Sequence, residues 1–120
     1  MSTSAAHADS FYTEVLAQQH VWAIRDSEGF PAPMNGDGVR AMPFWSKKSR
    51  AERIVATVPA YSGFEVVDIA LDKWRSDWLA NLERDGLRVG LNWAGAQAQG
   101  YDLPPGDVLR NLAAREREAP

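Results

Sequence analysis

Residues 64–93 read FEVVDIALDKWRSDWLANLERDGLRVGLNW, and this pattern predicts a strand, a helix, a tight turn and a second strand. Apolar side chains recur in the helix at steps of three and four residues, as they do on a helix with one buried stripe. The stripe consists of Leu71, Trp74, Trp78 and Leu82, with Leu79 on its flank. Asp72 is placed to accept from free N–H groups at the helix start, and Gly86 can take the left-handed conformation that ends the helix.

After the turn, apolar and polar residues alternate with the two-residue period of a strand that buries one face. The apolar members are Leu87, Val89, Leu91 and Trp93. We therefore expect Trp74, Trp78 and Trp93 to meet in one core, where each aromatic side chain can bury roughly 150–250 Å².

The remaining segments predict an α+β fold in a single domain, with a mixed sheet of four to five strands and about four helices packed on it. Residues 1–9 are small and polar and predict a disordered arm. The domain then covers residues 10–114, with Ser10 as the first helix cap and a strand from His20 to Arg25. Residues 115–120 predict a frayed tail.

The segment between Gly29 and Trp45 contains three prolines, which cannot donate to a sheet, so we expect an irregular edge hairpin there. Its turn is predicted at residues 35–38, which read NGDG. Ser49 begins a capping-box pattern for the next helix, and Ser46 is the alternative cap.

The composition excludes several classes of protein. A chain without cysteine has no disulfides, thiolate nucleophiles or cysteine-ligated metal centres. No apolar run approaches the roughly 18 residues of a membrane span, and the first ten residues lack the pattern of a secretory signal. A formal net charge of −3 disfavours nucleic-acid binding. We therefore expect a cytoplasmic protein that binds neither membrane nor nucleic acid and needs no cofactor and no metal.

Aromatic and glycine signatures along the chain give the sequence a family resemblance. They are Val21-Trp22, Pro43-Phe44-Trp45-Ser46, Trp78-Leu79, Asp85-Gly86, Val89-Gly90, Asn92-Trp93 and Gly100-Tyr101-Asp102. Over about residues 10–112 the chain resembles a family of small bacterial proteins known as a domain of unknown function. The resemblance implies a stand-alone cytoplasmic bacterial protein, and it carries over no catalytic residue.

A basic cluster at a predicted helix start is the clearest polar signal. Its members are Ser46, Lys47, Lys48, Ser49, Arg50 and Arg53. Cations at this end of a helix oppose the macrodipole, whereas an anion is attracted there by free N–H groups. The cluster therefore indicates either a site for a phosphate or another anion or a solvated helix face.

Four further residues are candidates for an interface or a pocket. Trp45 precedes the basic cluster and either staples the helix or forms an aromatic platform, the staple being favoured. Asn92 lies off the apolar face of its strand, so it pairs with backbone, anchors the loop at residues 95–101 or meets a ligand, and we favour the loop anchor with Tyr101 closing over it. Asp68 interrupts an apolar strand and is either a paired core carboxylate or a site group.

No pattern of a known catalytic site is present, and neither His7, in the predicted arm, nor His20, at a strand start, has a partner in the sequence. We therefore expect a non-enzymatic module that binds another protein, by analogy with bacterial immunity proteins that neutralise toxins. Five tryptophans can supply a core and an anchor at an interface. The alternative is a small anion-binding protein or enzyme that uses residues 46–53. We expect a monomer or a weak homodimer.

Overall fold

A computed structural model describes residues 3–118, which form five strands and a set of helices around them. The elements in chain order are α1 Thr3–Gln18, β1 His20–Arg25, β2 Ala41–Phe44, α2 Lys48–Thr57, a 3₁₀ turn Pro59–Tyr61, β3 Glu65–Ala70, α3 Leu71–Lys73, a π-helical turn Trp74–Trp78, α4 Leu79–Arg84, β4 Arg88–Leu91, β5 Asp102–Leu103 and α5 Pro105–Glu118. We call residues 71–84, which are helical throughout, the central helix. The predicted α+β class is confirmed.

The strands form two sheets that meet at one point. β1 pairs with β3 antiparallel, while β4 lies between β2, which is parallel to it, and β5, which is antiparallel. Trp22 and Trp45 exchange two backbone hydrogen bonds of 2.8 Å and so join β1 to the end of β2. The five strands therefore lie in two sheets of two and three strands rather than in the single mixed sheet that we expected, and the three-stranded sheet is the mixed one.

β2 is an edge strand of its sheet, as expected for this segment, because it pairs only with β4 and the contact with β1 is a single bridge. The N–H groups of Ala41 and Trp45 point away from β4, to the carbonyls of Pro33 and Trp22. Residues 41, 43 and 45 direct their backbone nitrogens to the same side of β2. Pro43 has no N–H to donate, and on that side β2 has no continuous partner strand that would need one. The turn at residues 35–38 is confirmed: Asn35 Oδ1 accepts from the N–H groups of Asp37 and Val39 at 2.8 and 3.0 Å.

The first helix begins at Thr3, so Ser10 lies inside it and does not cap it. Residues 3–9, which we expected in a disordered arm, are part of α1 as far as the structure describes them. Alanines favour the helix, Ala8 is buried, and Asn92 Nδ2 donates to the carbonyl of His7 at 3.2 Å. Local composition cannot predict such contacts, because they join residues that are far apart in the sequence.

The last helix also exceeds its predicted end. α5 begins at Pro105 as expected and continues through Glu118, so residues 115–118 of the predicted frayed tail are helical, and residues 119–120 lie outside the described part. Arg115 pairs with Asp9 at 2.8 Å and stacks over the ring of Tyr12, while Glu116 pairs with Arg75 at 2.8 Å. These contacts hold the end of α5 on α1 and on the central helix.

The central helix has the predicted span, but its buried stripe changes phase at the π-helical turn. The N–H of Leu79 donates to the carbonyl of Trp74, a step of five residues that adds one residue to the turn. Trp74 and Leu79 are therefore fully buried, while Trp78 is half-buried and packs edge-on against Phe30 with ring centroids 4.9 Å apart. Placing Trp78 on the stripe and Leu79 on its flank was wrong by this one residue.

The buried side chains form two clusters rather than the single core that we expected. The first core lies between α1, the sheets, the central helix and α5, and its fully buried members include Phe11, Val15, Val21, Phe44, Trp74, Leu79, Leu91 and Leu112. The second core lies under α2, and its buried members are Ile24, Ala41, Trp45, Ala51, Ile54, Val58, Trp93 and Ala98.

Trp93 belongs to the second core because the strand alternation stops before it. Gly86 ends the central helix at φ +71°, as predicted, and Val89 and Leu91 face the first core. Asn92 then takes φ +50°, which turns the chain. Within residues 3–118 no helix has the length and apolar character needed to cross a bilayer.

Candidate functional site

A cleft of about 520 Å³ opens where the parallel strands β2 and β4 end. Residues that follow β2 form one wall, and residues that follow β4 form the other. The lining consists of His7, Trp45, Lys47, Ser49, Arg50, Arg53, Ile54, Thr57, Asn92, Trp93, Ala94 and Gly95. Carboxyl ends of adjacent parallel strands are where open α/β sheets bind ligands, because the chain diverges there and leaves a crevice.

Three cations of the predicted basic cluster line this cleft. Lys47 is the N-cap of α2, and Arg50 and Arg53 follow in the first two turns of that helix. The N-cap residue makes no side-chain hydrogen bond to the helix, and of the first-turn N–H groups that of Arg50 donates to the carbonyl of Lys47 at 3.1 Å, which leaves those of Lys48 and Ser49 uncapped. The two predicted serine caps are wrong, because Ser49 lies within α2 and Ser46 precedes the N-cap residue.

Two other members of the cluster lie apart from the cleft. Lys48 is exposed and does not line it. Ser46 is fully buried, and its hydroxyl donates to Glu14 Oε1 at 2.5 Å. Neither residue is placed to contact a ligand in the cleft.

Glu14 of α1 joins this site although nothing in the sequence singled it out. Arg50 Nε and Nη2 donate to Glu14 Oε1 and Oε2, each at 3.0 Å, and Lys47 Nζ lies 3.5 Å from Oε2. Burial by itself raises the pKa of the Glu14 carboxyl, but hydrogen bonds from Arg50 and Ser46 and the charges of Arg50 and Lys47 lower that pKa overall. Glu14 is therefore ionised and neutralises part of the cluster.

Asn92 connects the two walls and does not anchor the loop at residues 95–101, as we had favoured. It is 2 % exposed, and its Oδ1 accepts from the backbone N–H of Ser46 at 2.9 Å. Its Nδ2 donates to Ser46 Oγ at 2.9 Å and to the carbonyl of His7. Pairing with backbone was among the alternatives for Asn92, and it fixes the end of β4 beside the start of α2.

Trp45 is 1 % exposed, so it is not an exposed aromatic platform. It packs with Ala51 and Ile54 of α2 in the second core, as the favoured staple would, and donates its indole N–H to the carbonyl of Trp93 at 2.9 Å. Its ring forms part of the floor of the cleft.

A second concavity, of about 640 Å³, lies on the other side of Trp93. Met34 and Tyr101, exposed by 55 % and 45 %, both line it, as do Tyr61, Gln97 and Gln99. Tyr101 does not close over Asn92: its carbonyl accepts the indole N–H of Trp93 at 3.0 Å. Asp102, also in the lining, is neutralised by Arg88, whose Nη2 donates to the Asp102 carbonyl at 2.9 Å.

Asp68 was predicted to be either a paired core carboxylate or a site group. It is paired, but it does not lie in the core. His20 Nδ1 lies 2.6 Å from Asp68 Oδ1, with the two side chains 45 % and 51 % exposed. β3 is an outer strand with one partner, so this face of it reaches solvent. Neither residue lines the two concavities. Among residues 3–118 no three His, Asp or Glu side chains converge as metal ligands would.

The cleft thus brings together Lys47, Ser49, Arg50 and Arg53, which the sequence predicted as a group. His7 and Glu14 were missed because their partners are distant: Glu14 is 32 residues from Ser46 and 36 from Arg50. No local spacing reveals such a pairing.

Together the fold and the cleft define a small α+β protein with a basic crevice at the ends of two parallel strands. Residues 8–112 match a family described as "Protein of unknown function (DUF2750)", and the chain belongs to that family. The resemblance stated from the signatures is confirmed in this respect. A search of curated proteins found no match.

Proposed function

We propose that this protein binds a small anionic ligand carrying a phosphate group in the basic cleft. The observation that carries the proposal is the convergence of Lys47, Arg50 and Arg53 on one crevice beside an uncapped helix start. This reverses the order of preference drawn from the sequence, in which protein binding came first. The absence of cysteine and the family resemblance support the setting that we propose, the bacterial cytoplasm.

The cleft has the size of a small-molecule site. Its volume of about 520 Å³ falls within the roughly 300–1,000 Å³ of typical ligand pockets. Trp45 and Trp93 back the cleft but are only 1 % and 7 % exposed, while the cations and Ser49 supply donors for phosphate oxygens. Such a site can hold a small ligand that carries a phosphate group.

Arg53 is the strongest candidate for direct contact. It lines the cleft and forms no ion pair with any residue from 3 to 118, whereas Lys47 and Arg50 both contact Glu14. We propose binding rather than catalysis, because Glu14, which among residues 3–118 is the carboxylate paired with the lining cations, is held by a guanidinium and a hydroxyl and is a poor general base.

The test compares Arg53→Gln with Lys48→Gln. Both variants remove one exposed cation from α2, but only Arg53 lines the cleft. Inorganic phosphate and a nucleotide should raise the melting temperature of the wild type at low salt and much less at high salt. Arg53→Gln should weaken binding about tenfold, as expected for a charged hydrogen bond, and Lys48→Gln less than about twofold.

Equal losses of binding in the two variants would mean that the anion is held only by non-specific electrostatic attraction. No response of the wild type to any of these ligands at low salt would reject the proposed function.

A second candidate function, binding of a partner protein, is favoured by the Met34–Tyr101 surface, which we define as the lining of the second concavity around those two residues. Met34 and Tyr101 are large, exposed and on the same rim. Aromatic and methionine side chains are enriched at the centres of interfaces. A toxin neutralised by an immunity protein would be one such partner.

Cross-linked partners captured by the wild type should be lost with Met34→Ser and retained with Lys48→Gln. A partner that binds all three proteins equally would exclude this surface.

A further inference from the structure

The hydrogen-bond donors around Glu14 have the arrangement that proteins use to bind a carboxylate ligand. Two donors of Arg50 meet its two oxygens in parallel at 3.0 Å, the hydroxyl of Ser46 adds a third hydrogen bond, and Lys47 Nζ lies 3.5 Å away. The Glu14 side chain is 19 % exposed. Bidentate pairing with a guanidinium is the strong and specific form of carboxylate recognition.

These donors all come from the β2–α2 segment, whereas the carboxylate comes from α1. Asn92 holds Ser46 from the other side: its Oδ1 accepts from the Ser46 backbone N–H and its Nδ2 donates to the Ser46 hydroxyl oxygen, so the hydroxyl remains in place whether or not Glu14 is present. The donors therefore form a pre-organised receptor, and Glu14 is the group that fills it.

We propose that Glu14 is an internal ligand of this carboxylate receptor and that it determines which anions the basic cleft accepts. This inference rests on the proposed function for the ligand in the cleft, but the receptor itself can be tested without that ligand.

The selectivity of the cleft between anions follows from the hydrogen-bond donors and the positive charge that Glu14 does not use. With Nε and Nη2 engaged, Arg50 offers the cleft its Nη1, which donates to no group within residues 3–118. Three lining cations offset by one carboxylate leave two formal positive charges, 3 − 1 = 2. A phosphate monoester carries about −1.5 to −2 at pH 7 and matches that charge.

A free monocarboxylate is disfavoured for two reasons. It supplies half the charge, and it competes for Arg50 with a carboxylate tethered nearby at high effective concentration. The wild-type cleft should therefore select phosphate over acetate.

The first measurement compares sodium phosphate, sodium acetate and sodium chloride at matched ionic strength. Phosphate should raise the melting temperature of the wild type by at least about 2 °C, and acetate should act no differently from chloride. Acetate that stabilises the wild type as much as phosphate does would overturn the selectivity.

The second measurement empties the receptor with Glu14→Ala. The variant should melt about 5 °C lower in chloride, and about 100 mM acetate should restore at least 2 °C of that loss by occupying the vacated site. If the variant is unfolded in chloride, the same rescue should appear as recovery of the helical circular-dichroism signal on addition of acetate. Identical behaviour in acetate and chloride would overturn the receptor.

Asp9→Ala is the matched control. Asp9 is also an acidic residue of α1 with an arginine partner, but its pair with Arg115 is 59 % and 34 % exposed and has a single contact. Acetate should not rescue this variant, and rescue of both would mean that acetate stabilises the fold in general. Failure of phosphate to stabilise the wild type would remove the proposed function, while acetate rescue of Glu14→Ala would still establish the receptor.

Discussion

The first core and the second core both depend on tryptophans, but they hold them in different ways. Trp74 in the first core is fully buried against Phe11 and Phe44, with ring centroids 5.7 and 5.2 Å away, and its indole N–H has no acceptor within residues 3–118. In the second core, Trp45 and Trp93 each donate the indole N–H to a backbone carbonyl.

The difference indicates that the two cores contribute differently to stability and to the shape of the concavities. Apolar and aromatic contacts hold Trp74 in the first core, so its contribution to stability follows the area that it buries. Hydrogen bonds orient the Trp45 and Trp93 indoles in the second core, although the indole N–H of Trp22, which packs against that core, has no acceptor within residues 3–118. Trp93 lines both concavities. A change in the second core should therefore alter the shape of the two recognition surfaces as well as stability.

The largest expected effect is that of Trp74→Ala in the first core. Truncation of a fully buried tryptophan leaves a cavity and should lower the free energy of unfolding by about 3–5 kcal/mol, measured by urea denaturation. Trp74→Phe should cost roughly half as much, because no hydrogen bond of the indole is lost. Equal costs for the two variants would show that the loss does not follow the volume removed from the core.

Gly90→Ala tests how closely the second core holds Trp93. A Cβ on Gly90 would lie 2.6 Å from Cζ2 and 2.7 Å from Nε1 of Trp93, so the indole would have to move. We expect a loss of about 1–3 kcal/mol in urea denaturation and weaker phosphate binding in the cleft. Gly36→Ala is the control, since nothing lies within 4 Å of its Cβ position. A neutral Gly90→Ala would mean that Trp93 is loosely held.

Trp78→Leu examines the edge of the first core, where the π-helical turn leaves the indole half-buried. The remaining contacts with Phe30 and Phe44, at 4.9 and 5.9 Å between ring centroids, should be worth slightly more than about 1 kcal/mol. A loss as large as that of Trp74→Ala would place Trp78 at the centre of the core and contradict the shifted stripe.

Glu14→Gln affects the connection between the cores, because Glu14 lies on α1 and Arg50 on α2. Its folded pKa is lowered, so its contribution is present above the ordinary carboxyl value near 4.5 and is lost as pH falls through the folded pKa. We expect the variant to be about 1 kcal/mol less stable at pH 7 and the gap to close in acid. A gap that is independent of pH would assign the loss to packing rather than to charge.

Local sequence patterns predicted the elements well where an alternating strand pattern, a glycine or a proline marks them. β1, Gly86 at the end of the central helix and Pro105 at the start of α5 all appear where expected. The phase shift from Trp78 to Leu79 was not predictable, because a π-helical turn has no distinctive composition and its ring contacts are with Phe44 and Phe30, which are distant in sequence.

By itself, the sequence determined the α+β class, the span of the central helix and the grouping of Lys47, Arg50 and Arg53, because each depends on neighbours within two or three turns of chain. Only the tertiary structure decided that Asn92 turns the chain, that Trp93 leaves the first core and that Glu14 fills the receptor at Arg50. Those outcomes depend on contacts between residues far apart in sequence, whose energies exceed local preferences and leave no periodic trace.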